Sequence, residues 1–73
     1  MIKRKTKLLL ESKVNELKMN LANNYKDLAR DALKDLQQTV EECRESGELK
    51  DKDYRKYKQI ADEYAMRMMN YHH

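Results

Sequence analysis

Two histidines, His72 and His73, stand side by side at the end of a 73-residue chain that contains a single cysteine, Cys43. These are residue types that hold metals or attack substrates, but neither is arranged to do so. Adjacent residues on a helix point in different directions, so the two histidines do not converge on one ion, and a chain end frays. No Ser/His/Asp set can be assembled around them. Cys43 falls in step with a run of apolar residues and reads as a small buried hydrophobe rather than a reactive thiol. A lone cysteine builds no intrachain disulfide and fits a reducing compartment. Glu41, Glu42, Glu45 and Glu48 crowd together, but their spacing supplies no converging loop ligands for a cation, so a solvated face is expected. One glycine cannot form a phosphate-binding loop. Catalysis, a cofactor, a bound metal and a small-molecule substrate are accordingly not expected.

Two other sets point to binding. Lys3, Arg4, Lys5 and Lys7 could hold the phosphates of RNA or DNA, or another anionic surface. Lys52, Arg55 and Lys56 could extend that patch, although acidic residues interleave with them. The formal net charge is only +3, and it is unevenly spread. Residues 1–24 carry six basic and two acidic side chains, residues 25–50 five and seven, and residues 51–73 five and four. Such blocks favour one helix pairing over another and could draw an anionic partner to the N-terminal part. The five tyrosines, Tyr25, Tyr54, Tyr57, Tyr64 and Tyr71, all coincide with apolar stripes. Tyrosine suits half-buried positions, with its ring packed and its hydroxyl at a wet edge, and it is enriched at interfaces. Methionine-rich faces adapt to a partner's shape. Tyr64, Met68, Met69 and Tyr71 are therefore the candidate protein-binding residues, set against the plainer expectation that the tyrosines simply form a thin core.

The elements that must position these side chains are helical. Charged residues and hydrophobic residues each make up 40% of the chain, with no Pro, Phe or Trp. Strands would need turn residues that are absent, and a disordered tail would be less hydrophobic. Leu10, Val14, Leu17, Leu21, Tyr25, Leu28, Ala32, Leu36, Val40 and Cys43 recur in steps of three and four, with Leu10, Leu21, Ala32 and Cys43 spaced evenly. That spacing is close to a straight helix, and Ala22, Ala29 and Leu33 widen the stripe. It runs without a slip through Asn23-Asn24, which predicts one helix over about residues 4–46. Against this, Asn is a poor helix former, and Asn24 followed by Asp27 resembles a helix N-cap. The alternative is a three-helix bundle broken at Asn23-Asn24. Gly47 then ends the helix as a left-handed cap, with a turn over 47–51 and Asp51 as the next N-cap. Tyr54, Tyr57, Ala61, Tyr64, Met68 and Tyr71 follow a heptad spacing that predicts a second helix over about 52–71.

The expected fold is thus all-α, one small domain forming a helical hairpin with a long first helix and a shorter second one. Folded back at Gly47, the second helix reaches only to about Leu21–Tyr25. Leu8, Leu9, Leu10, Val14 and Leu17 would lack an intrachain partner, and with Leu21 they are the candidate interface of an antiparallel homodimeric bundle. The longest apolar run, Leu8-Leu9-Leu10, is far too short for a signal peptide or membrane span, and a cytoplasmic location is expected. The function expected is that of a small regulator or adaptor that dimerises and binds another protein. The alternative is a basic helical-hairpin dimer on RNA or DNA, and a third possibility is a subunit that completes a larger bundle.

Overall fold

In the computed structural model, which describes residues 3–69, the chain turns twice and forms three helices: α1 (Arg4–Ala22), α2 (Lys26–Glu45) and α3 (Asp51–Met69). The long first helix is therefore replaced by two shorter ones, and the break falls at the paired asparagines. Asn24 takes a left-handed backbone, φ 60°. Its N–H donates to the Leu21 carbonyl at 3.1 Å, and the Tyr25 N–H donates back to the Asn20 carbonyl at 2.9 Å. These two bonds are the Schellman ending, which recaptures carbonyls that a helix terminus leaves unpaired. Asn24 thus closes the first helix rather than capping the second. The position before α2 is Tyr25, whose side chain makes no capping hydrogen bond.

The gain that favours the turn lies in packing. Folding α1 back on α2 buries Leu10 and Leu17 completely and Val14 almost so. Each such side chain contributes about 1.5–3 kcal/mol, more than the few helical hydrogen bonds forgone at the break. α2 also uses only the later part of the even stripe. Tyr25 and Leu28 are exposed, while Ala29 and Leu33 face inward with Ala32, Leu36, Val40 and Cys43. Once the chain is broken, α2 is free to rotate its Ala29/Leu33 edge into the core. At 40 Å long, the molecule is also well short of the roughly 60 Å that a continuous first helix would span.

The second turn repeats the first with glycine. Gly47, φ 82°, donates to the Arg44 carbonyl at 3.1 Å, and Glu48 donates to the Cys43 carbonyl at 2.9 Å. A side chain at Gly47 would meet nothing, so it is the left-handed backbone, not space, that calls for glycine here. Leu49 then tucks under the turn, buried. The α3 helix begins at Asp51, slightly earlier than expected. The Tyr54 N–H bonds the Lys50 carbonyl at 2.8 Å, so Lys50, not Asp51, occupies the cap position. Asp51 and Asp53 lie in the first turn, where the helix dipole favours negative charge.

Successive helices run antiparallel, so α1 and α3 run parallel on α2. Lys13 of α1 pairs with Asp35 of α2, and the Tyr54 hydroxyl of α3 donates to Glu41 of α2 at 2.7 Å. The core is completed by Tyr54, Tyr57 and Ala61 from α3, with Ile60, Tyr64, Ala65 and Met68 partly buried against it. Among the described residues no buried side-chain nitrogen or oxygen lacks a hydrogen-bond partner. None of the described helices is long and apolar enough to cross a membrane.

Candidate interaction surfaces

α1 packs closely on α2, and α2 on α3, but α1 and α3 approach each other less closely. Between them lies an open groove. At its wider end it encloses about 300 Å³, lined by Lys18, Leu21 and Ala22 of α1 and by Tyr64, Arg67 and Met68 of α3. A narrower continuation of about 160 Å³ runs past Val14, Ile60 and Glu63. Because the two walls run parallel, Val14, Lys18 and Ala22 follow one another along one side in the order that Ile60, Tyr64 and Met68 follow along the other.

Two of the four residues expected to bind protein, Tyr64 and Met68, are half-buried in this groove. Met69 is exposed at 69% and does not line it. Tyr71, like His72 and His73, lies outside the described residues. The other α3 tyrosines belong to the core. Tyr57 is 3% exposed, and burial pushes its phenol pKa up, with the charges of Glu11 and Asp53 adding to the effect. Tyr54 lies under the Arg44 guanidinium, 4.2 Å above its ring. Tyr25 is exposed beside the first turn.

The residues expected to meet a second copy divide differently. Leu10, Val14 and Leu17 are buried inside the chain's own core, so the premise that α1 lacks an intrachain partner does not hold. Leu21 is half-buried and lines the groove. Leu8 (59%) and Leu9 (46%) are exposed. Leu8 belongs to a more open trough along the outer side of α1 with Glu11, Ser12, Asn15, Glu16 and Met19. Only Leu8 and Met19 of those six are large and apolar.

Lys3, Arg4, Lys5 and Lys7 are all exposed at the end where α1 begins. Their charge is partly answered within the chain. Lys7 reaches Glu11 at 3.9 Å, a weak surface pair. Glu48, on the α2–α3 turn, accepts hydrogen bonds from Thr6 at 2.7 Å and Ser46 at 3.1 Å. Those two hydroxyls hold its carboxyl below the usual glutamate value, with Lys3 and Lys5 adding to the effect against an opposing contribution from desolvation. Thr6 is itself buried, so the start of α1 is latched to the turn while the four basic side chains around it stay exposed.

Cys43 is buried, and its thiol pKa is raised first by burial and then by the charges of Glu48 and Glu42. Among the described residues no group of three or more His, Cys, Asp or Glu is placed to hold a metal ion.

Of the groove's lining, sequence reasoning singled out Leu21, Tyr64 and Met68 as candidate contact residues and missed Lys18, Ala22 and Arg67. Lys18, Ala22 and Arg67 are ordinary helix residues by type, and only the Asn24 turn brings Lys18 and Ala22 alongside Tyr64, Arg67 and Met68. No protein-family model, curated protein or solved structure matches this chain.

Proposed function

We propose that this chain is a non-enzymatic protein–protein interaction module that works by receiving a helix of another protein between α1 and α3. The observation that carries the proposal is the open groove between α1 and α3, apolar through Leu21, Ala22, Tyr64 and Met68 and roomier than the cleft of about 140 Å³ between α2 and α3 at Val40 and Ala61. Helical bundles of this kind are completed by packing one more amphipathic helix along such a seam. Methionine and tyrosine on one wall suit a surface that must conform to its occupant. The homodimer expected from a rod-like first helix loses its main support, because Leu10, Val14 and Leu17 are covered within one chain. The free module is expected as an 8.8 kDa monomer by light scattering on a sizing column.

The test is affinity capture from host extract with and without nuclease, comparing the native chain with an Ala22→Gln, Met68→Gln double variant. Circular dichroism establishes that the variant keeps its helices. A protein retained by the native chain, insensitive to nuclease and lost with the variant, supports the module. Captured material that disappears with nuclease, and is instead reduced by neutralising Lys3, Arg4, Lys5 and Lys7, would transfer the function to nucleic acid.

A further inference from the structure

We infer that the occupant of the α1/α3 groove is an amphipathic helix with acidic residues along its edges. The inference rests on the module proposed above and specifies the chemistry of its partner. A helix suits this site because its backbone is internally bonded and needs nothing from the walls, which are themselves helices with satisfied backbones. From Val14 to Ala22 and from Ile60 to Met68 the walls run for about 12 Å at 1.5 Å per residue, or roughly two turns. Two turns present three apolar side chains at i, i+3 or i+4 and i+7, enough to fill the space among Leu21, Ala22, Tyr64 and Met68.

The rim supplies the specificity. Lys18 stands on the α1 wall and Arg67 on the α3 wall, both exposed, so the mouth of the groove is cationic on both sides. Among the described residues neither has a carboxylate partner. Arg67 instead lies over the Tyr64 ring at 5.3 Å, in the wall of the groove. Glu63, in the narrower part, is the one carboxylate among the described residues that line the groove, and it accepts a hydrogen bond from Gln59 at 3.2 Å. A helix with lysines at its edges would set like charges against Lys18 and Arg67, while one with glutamates would pair with both. The chain's own exposed candidate, the outer trough of α1, carries Glu11 and Glu16 but only two large apolar residues, and Glu11 is already paired with Lys7. That face is a poorer occupant than a separate amphipathic helix.

The experiment uses the full chain and two synthetic helical peptides with the same leucine and alanine face, one flanked by glutamates and the other by lysines. Binding is followed by amide chemical shifts of isotopically labelled protein. The acidic peptide is expected to bind about five- to tenfold more tightly, the effect of two exposed ion pairs. Its shifts should centre on Lys18, Leu21, Tyr64 and Met68, and its advantage should shrink at high salt. The Lys18→Glu, Arg67→Glu double variant, checked for helicity, should reverse the preference. Equal affinity of both peptides at the groove would overturn the acidic-edge inference while leaving the interaction module standing. Binding of neither peptide, or shifts confined to another face, would overturn both. A free chain that self-associates through these same residues would overturn the inference by making a second copy the occupant.

Discussion

Replacing Asn24 by alanine and, separately, by glycine isolates the turn that sets the arrangement of this molecule. At φ 60° the native turn requires a left-handed residue. A residue with a Cβ pays roughly 1–2 kcal/mol there, which glycine escapes and asparagine partly offsets through local hydrogen bonding of its short side chain. In a continuous right-handed helix the order changes, with asparagine roughly 0.6 kcal/mol and glycine about 1 kcal/mol worse than alanine. Asn24→Ala therefore weakens the native turn by about 1 kcal/mol and eases the straightened helix by about 0.6 kcal/mol, a combined shift of more than tenfold in their ratio. Asn24→Gly acts in the opposite direction on both. For a domain of this size, 1 kcal/mol moves Tm by about 4–8 °C. Thermal melts followed by circular dichroism should show the alanine variant melting lower by about that amount and the glycine variant at or a few degrees above the native chain. The outcome that refutes this is the reverse order, alanine more stable than native and glycine less so. Position 24 would then be helical in solution and the three-helix arrangement wrong.

Other outcomes follow from burial and charge. Leu36→Ala removes a fully buried side chain and should destabilise by about 2–5 kcal/mol in urea melts, whereas Leu8→Ala, at an exposed position, should stay within about 0.5 kcal/mol. Glu48 has a folded-state pKa below its ordinary value of 4.5, so its contribution is present above that value and lost as pH falls through the folded pKa. Acid titration of stability should therefore be less steep below about pH 4.5 in Glu48→Gln than in the native chain. Cys43 should resist a thiol-reactive dye in the native state and label promptly in denaturant, because its thiol is buried and its pKa raised.

Much of this fold was legible where one residue type allowed one conformation. Gly47, the sole glycine, marked the second turn, and Ala32, Leu36, Val40, Cys43, Tyr54, Tyr57 and Ala61 fell on stripes that the structure buries. Asn23-Asn24 was ambiguous, because asparagine serves both ends of a helix, and the break there is the alternative reading that the three helices support. Asp27 drew attention to a cap for the following helix, whereas Asn24 takes the left-handed position that ends the preceding one. Tyr25 and Leu28 kept the apolar phase intact across the break although neither is buried, and only the competition between two ways of covering Leu10, Val14 and Leu17 distinguishes the cases. The groove was half legible for the same reason. Tyr64 and Met68 stood out by type, but Lys18, Ala22 and Arg67 are ordinary helix residues whose role depends on which helix lies alongside.

An odd number of antiparallel helices has an electrical consequence. With α1 and α3 pointing one way and α2 the other, one helix dipole is left uncancelled along the long axis of the molecule, its negative pole toward the end where Ala22 and Met68 lie. A fourth helix running with α2 would restore parity, while one running the other way would double the imbalance. For the helical occupant proposed above, the expected direction therefore puts its N-terminus at the Ala22–Met68 end. Helices carry their acidic residues preferentially in the first turn, which brings those carboxylates to the level of Lys18 and Arg67. A paramagnetic tag placed at one end of the bound peptide and then at the other would show the polarity directly, by which residues of α1 and α3 it broadens.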